Sequence, residues 1–320
     1  MFEPNFNITN NLLTYISSIE SAKAIIENSP LVPAWEAKFK KDAMARTVHF
    51  GTKIEGNDLT EEEAKKVVRL NLIDDPEEAA KKTGIAARER DVQEVINYRN
   101  VVKWIDDQDM EISEDLFSEE TLKHLHTLTM TNLLEEDDIG SYRKKQVIVK
   151  GAGSHQGKVV FRPPVSVEVP YLIEGFFEWL NHAEAKNIHP IFRAAITHYR
   201  LVYIHPFIEG NGRTARALAT LVLYATGYDF KRFFSIEEYF DRNVENYYRA
   251  LQSVQQSEDN DMSYWLEYFC YGLALEVERV KQQVLKLSKD LKMKKELGQQ
   301  VALSERQIII LELLQKQGQI

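Results

Sequence analysis

The twelve residues His205-Pro206-Phe207-Ile208-Glu209-Gly210-Asn211-Gly212-Arg213-Thr214-Ala215-Arg216 decide how this chain is read. They lie between two apolar segments of helical periodicity, roughly 190–204 and 213–227, so the stretch is a loop running into a helix N-terminus. Gly210 and Gly212 flank Asn211, and such a turn can aim successive backbone N–H groups at one anion. The following helix adds unpaired N–H groups and the positive end of its dipole. Arg213 and Arg216, spaced i and i+3, share one side of the first turn, where guanidinium forks suit phosphate oxygens. Glu209 offers a hard oxygen ligand of the kind Mg²⁺ takes together with phosphates. His205 is the residue type that accepts a proton near neutral pH. Each feature alone is commonplace; His189-Pro190, for instance, reads as a helix start without chemistry. Together, within one turn, they are the parts of phosphoryl or nucleotidyl transfer.

Outward from this loop the pattern stays helical. Trp35, Phe39, Met44 and Val48 mark one helix, and Val92, Val95, Ile96, Val102 and Ile105 mark another over 86–105. Thr60 and Ser118 read as N-caps ahead of acidic first turns. Further helices are expected at 167–182, 237–255 and 262–292. One segment departs from this. Gln146–Lys150 and Lys158–Arg162 are β-branched runs around the glycine-rich Gly151–Gly157, which predicts a hairpin that Pro163-Pro164 ends. The fold class is therefore all-α with one β-hairpin.

Composition sets the outer bounds. A 44% hydrophobic share can fill a core, while 28% charged residues speak against a membrane protein. No apolar run is long enough to span a bilayer, and the first residues lack a signal-peptide pattern, so a cytoplasmic location is expected. The single Cys270 excludes an intrachain disulfide framework and a multi-cysteine zinc site. A net charge of −9 weighs against nucleic-acid binding by the whole chain.

Position for position, 205–216 resembles the Fic family motif His-Pro-Phe-x-[Asp/Glu]-Gly-Asn-Gly-Arg-x-x-Arg. The likeness continues through Arg193–Tyr199, Tyr239-Phe240 and Tyr247-Tyr248. It implies a Fic-type helical bundle whose hairpin is a flap that holds a protein substrate over residues 146–162. It further implies a protein adenylyltransferase that moves AMP from ATP to a Tyr, Thr or Ser hydroxyl, self-modification included. In that reading His205 is the general base and Glu209 holds Mg²⁺. Asn211, with the backbone of Gly210 and Gly212, cradles the phosphates, Arg213 and Arg216 bind towards the β- and γ-phosphates, and Tyr248 lies beside the adenine.

Thr52-Lys-Ile-Glu-Gly-Asn57 resembles the family's inhibitory motif, [Ser/Thr]-x-x-x-Glu-[Gly/Asn], in which the glutamate, here Glu55, pairs with the second arginine, here Arg216. The hydroxyl expected four residues before Glu55 is missing: position 51 is Gly and Thr52 stands three before. The expected division is N-terminal helices with the inhibitory helix over 1–110, the catalytic core with its flap over 111–300, and 301–320. In that last part Ser304 and Gln307 form a capping-box pattern that resembles the start of a winged helix. DNA enters as a partner only if a complete winged helix follows. A homodimer stays open. So do transfer of another group on the same scaffold, removal of AMP, and a DNA-binding regulator with a vestigial Fic body.

Overall fold

The computed structural model describes residues 2–70, 73–108, 116–150 and 159–300. In chain order the helices are α1 (Asn10–Asn28), α2 (Pro33–Lys53), α3 (Glu61–Arg69), α4 (Pro76–Thr83), α5 (Glu89–Asp107), α6 (Glu119–Met130), α7 (Val169–Asn181), α8 (Ala183–Asn187), α9 (Pro190–Ile204), α10 (Asn211–Ala225), α11 (Ile236–Arg242), α12 (Val244–Gln256) and α13 (Ser263–Gln300). Between α6 and α7, β1 (Val149–Lys150) pairs antiparallel with β2 (Val159–Phe161), in the register Val149 to Phe161 and Lys150 to Val159. The chain is helical with one short two-stranded ladder among the described residues.

The centre is the α9–α10 pair. Both helices are apolar or small on nearly every side, the pattern of helices buried all round. Buried residues from Leu12 in α1 to Val284 in α13 join one hydrophobic core. On one side α10 packs against α5 and α6, and α5 in turn packs against α2. On the other, α13 packs against α9 and α1, anchored where the Trp265 indole donates to the Ala195 carbonyl at 2.8 Å. The loop 205–210 thus emerges at one end of the central pair, within reach of α2, α5 and α6.

Local chemistry sets the helix ends. Thr60 and Glu63 form a reciprocal capping box on α3, and Ser118 caps α6, as their spacing predicts. His189 caps α9 by accepting from Ile191 N, a structural use of that His-Pro pair. The single helix expected over 237–255 is two: Asn243 leaves helical geometry and its side chain accepts from Asn246 N to start α12. α1, α4 and α8 were not anticipated. The strands are shorter than the runs 146–150 and 158–162, because residues 146–148 make no ladder and Pro163 closes β2. The loop 151–157 and the helix expected after Ser304 lie outside the described residues.

A charge network fastens α2 to the C-terminal helices. The Glu276 carboxylate, 1% exposed, meets Arg279 at 2.5 Å, Arg242 at 3.2 Å and Arg46 of α2 at 3.5 Å. Glu238 meets Arg46 at 2.5 Å. Removing one member of a buried network strands its partners. Glu276→Ala should therefore lower the unfolding free energy in urea by roughly 3 kcal/mol. Glu78→Ala, which removes an exposed i,i+4 pair with Lys82, should change it by no more than about 0.5 kcal/mol. Equal effects would show that the Glu276 network does not fasten α2.

Candidate active site

The loop after α9 is held in an unusual backbone path. His205 adopts φ 51° and ψ 59°, a left-handed conformation that costs a non-glycine residue energy and persists only where the surroundings enforce it. Gly210, at φ 76°, is required twice over: a Cβ there would also stand 2.5 Å from the Met130 sulfur. Asn211 braces the loop across its neck. Its Oδ1 accepts from Phe207 N at 2.8 Å, and its Nδ2 donates to Phe207 O at 2.9 Å. In this structure the Asn211 amide is thus engaged within the loop itself. Phe207 is fully buried and stacks on His126, ring centroids 3.7 Å apart.

Two residues without a sequence signal complete the bracing. His126 of α6 accepts from Gly140 N at Nδ1 (2.9 Å) and donates from Nε2 to the Glu209 carbonyl (3.0 Å), which fixes a neutral ring. Arg143, 3% exposed, donates from Nε to the His205 carbonyl at 2.8 Å and from Nη2 to the Pro164 carbonyl at 2.5 Å. One guanidinium therefore ties the loop to the foot of the β1–β2 ladder.

His205 itself is held as one tautomer. Its Nδ1 lies 3.2 Å from the Val202 carbonyl, an acceptor only, so Nδ1 carries the proton and Nε2 keeps its lone pair. Burial drives its pKa down to about 4, against the smaller opposing effects of the Val202 bond and Glu55. The ring is neutral at physiological pH.

Arg213 and Arg216 sit at the start of α10, 2% and 1% exposed. The Arg216 Nη2 donates to the Glu55 carboxylate and to the Gly51 carbonyl, both at 2.8 Å. Burial works against the Arg216 charge, but Glu55 and then Tyr247 and Tyr98 reverse that effect and hold its pKa above the ordinary value. Burial alone would raise the Glu55 carboxyl; Arg216 and Arg213 overcome it and hold it below the usual range. The approach is close: a Cβ on Gly212 would stand 2.3 Å from Glu55 Oε1. The 51–57 segment, which lacks a hydroxyl at position 51, is held by other contacts. Thr52 bonds to the carbonyls of Val48 and His49 within α2, and Gly51, bare so that the Tyr98 ring can lie against it, presents its carbonyl to Arg216.

The guanidiniums are not satisfied by these contacts. Nε and Nη1 of both Arg213 and Arg216 are buried without a protein hydrogen-bond partner. Orphaned buried donors are rare and call for a ligand or solvent. Beside them Glu209, 41% exposed, pairs with Arg90 of α5. A cavity of about 340 Å³ opens here, lined by Glu55, Arg90, Glu94, Glu209, Gly210 and Arg213 among others. Tyr248 is half-buried, its ring 5.2 Å from that of Tyr247. Among the described residues no three acidic, histidine or cysteine side chains cluster as a ready-made metal site.

Residues 116–223 match the Fic/DOC family. The Protein adenylyltransferase Fic of Drosophila grimshawi is 32% identical over 194 residues, which cover 59% of this chain and 35% of that protein. For Drosophila ananassae the protein of that name is 30% identical over 217 residues, covering 66% and 37%. The chain thus spans little more than a third of the length of these relatives. A Fic family protein from Desulfovibrio desulfuricans G20 superposes with a TM-score of 0.71 at 24% identity, covering 88% of this chain and 77% of that one. Fic-1 from C. elegans superposes with 0.61 at 20%, covering 87% and 74%. The helical fold is shared across these proteins.

The neutral rings of His126 and His205 have a measurable consequence. Burial lowers the His126 pKa from 6.5 to about 4, so between those values the unfolded chain binds a proton that the folded one refuses. The stability from burying the neutral ring is full above pH 6.5 and falls as pH drops towards 4, by at most about 1.4 kcal/mol per unit. Urea unfolding followed between pH 4.5 and 6.5 should show a shallower pH slope for His126→Gln than for the parent. An unchanged slope would mean that His126 titrates normally in the fold.

Proposed function

We propose that this chain is a protein adenylyltransferase, transferring AMP from ATP to a Tyr, Thr or Ser hydroxyl of a protein, and that Glu55 holds it inactive. The observation that carries the reading is one turn that combines a neutral imidazole with a free Nε2 and two buried guanidiniums with unpartnered N–H groups. The names of the relatives point the same way.

In this mechanism His205 Nε2 takes the proton of the target hydroxyl as its oxygen attacks the α-phosphorus. The bond from that phosphorus to the bridging oxygen breaks, and pyrophosphate leaves. Arg213 and Arg216, with the first N–H groups of α10, receive the charge of the β- and γ-phosphates. Tyr248 stands beside the adenine. The residues fit a Mg²⁺ ion: Glu209 is a partly exposed carboxylate at the edge of the same cavity, and phosphate oxygens and water would complete its shell. Bound there, Mg²⁺ would neutralise charge on the phosphates. The β1–β2 ladder, tied to the His205 carbonyl through Arg143, would take the target segment as an added strand over residues 146–162. Self-modification is one form of this reaction.

Glu55 restrains the reaction by competition. It occupies the Arg216 donor that a γ-phosphate needs, so ATP binds without alignment for attack. The test is transfer from labelled ATP, UTP and CTP in the presence of Mg²⁺, read on intact protein by mass. Glu55→Gly should raise AMP addition about tenfold or more over the parent, the scale of one charge-assisted hydrogen bond. His205→Ala in the Glu55→Gly background should lower it by about 10²-fold or more while ATP still binds. Transfer that persists without His205, or that prefers UTP or CTP, would overturn the proposal.

A further inference from the structure

The two motif arginines are not held independently. Arg216 is held by Glu55 at the end of α2, and the nearest acid to Arg213 is Glu94 of α5, whose Oε1 stands 3.5 Å from Nη1. Glu94 is 6% exposed, so its charge is costly unless fully engaged. The same Oε1 meets Arg90 Nε at 3.3 Å, and Arg90 in turn pairs with Glu209. The other oxygen, Oε2, accepts from Asn57 Nδ2 at 2.9 Å. Asn57 is two residues past Glu55, at the end of the turn that carries it. Its Nδ2 also donates to the Asp91 carbonyl of α5 at 2.9 Å, and its Oδ1 accepts from Leu59 N at 3.1 Å. The buried amide is therefore pinned on both sides, and its pin is the carboxylate that faces Arg213.

We propose that Glu94 is a positioning residue that sets the direction of the Arg213 guanidinium and, through Asn57, anchors the turn that keeps Glu55 on Arg216. This rests on the reading of Arg213 and Arg216 as the cations that bind a nucleoside triphosphate.

The geometry shows why one carboxylate serves both ends. At 3.5 Å without a hydrogen bond, Glu94 steers Arg213 by charge but leaves Nε and Nη1 free for phosphate oxygens. A bidentate grip would have closed the site. The Asn57 bond prevents Glu94 from swinging forward into such a grip. In return the carboxylate prevents Asn57, and with it residues 55–57, from lifting off α5. Glu55 can then leave Arg216 by rotating its own side chain, but the turn itself stays on α5 unless Asn57 lets go. Arg90 extends the chain of alternating charge to Glu209, so the phosphate side and the metal side of the cavity share one counter-ion array.

Two variants in the full chain separate the two roles. Glu94→Gln keeps an oxygen for Asn57 but removes the charge that faces Arg213. In the Glu55→Gly background it should bind a fluorescent ATP analogue at least as tightly as its parent, because a buried negative charge near the phosphates is gone. Its turnover should fall roughly tenfold, because Arg213 is no longer aimed. Loss of packing alone would instead weaken binding and turnover together, and that result would overturn the positioning role. Asn57→Ala in the otherwise unmodified chain should raise self-modification by part of the Glu55→Gly gain, and in the Glu55→Gly background it should add nothing further. A parent-level rate for Asn57→Ala, with its melting temperature showing a folded protein, would overturn the anchoring role. If Glu55→Gly binds no nucleotide, the functional reading itself fails and takes this inference with it. If it binds nucleotide and Glu94→Gln changes neither binding nor turnover, the inference alone fails.

Discussion

A guanidinium buried to 1% exposure is the constraint around which this site is arranged. Arg216 lies in the second turn of α10, buried against the hydrophobic core, and a cation there is tolerable only with a negative partner. Glu55 and the Gly51 carbonyl supply it, both at 2.8 Å. Their presence dictates much else. α2 must end beside α10, Gly51 must be bare so that Tyr98 fits, and Gly212 must be bare so that the carboxylate can approach. The network from Arg46 to Glu238 and Glu276 then holds α2 in register with α11 and α13. What Arg216 requires is a negative charge, and the fold does not specify whose. Inhibition by a carboxylate and binding of a phosphate are, in the proposed account, two answers to the same requirement.

The loop over 205–210 is built for stiffness. Asn211 closes the 207–211 neck with two hydrogen bonds, His126 holds the Glu209 carbonyl from α6, and Arg143 holds the His205 carbonyl while gripping the foot of the β-ladder. These bonds maintain a left-handed His205 that would otherwise relax. In the proposed mechanism, preorganisation of this kind would place a base and anion donors before substrate arrives, which is where the rate gain of a positioning enzyme originates. It also separates the two kinds of motion the site needs. In the proposed account the loop stays fixed, and the acidic occupant of Arg216 moves.

The central motif is legible in sequence because its residues are contiguous: 205–216 carries the candidate base, the candidate metal ligand and both arginines. Helix starts at Thr60 and Ser118 were legible for the same reason, since a cap and its partner lie three residues apart. Contacts between distant segments were not. Arg143 sits in Ser141-Tyr-Arg-Lys-Lys145, which gives no sign that one of three cations is buried against the loop. His126 reads as one more helical residue, and Glu94 as the polar side of α5. Asn211 was found by its motif, yet its amide turns inward to Phe207, which a linear pattern cannot show. At position 51 the sequence shows only that a hydroxyl is missing; that the Gly51 carbonyl accepts from Arg216 is a contact between distant segments. The break at Asn243 is hidden in the sequence because the apolar spacing runs on through it while the backbone does not.

If Glu55 and a γ-phosphate compete for Arg216, removing Glu55 must help only the nucleotide that has a γ-phosphate. The direct measurement is the affinity of the parent and of Glu55→Gly for ATP and for ADP, by calorimetry in the presence of Mg²⁺. The account predicts similar affinities for the two nucleotides in the parent, and a gain in Glu55→Gly confined to ATP. An equal gain for ATP and ADP, or none for either, would contradict it.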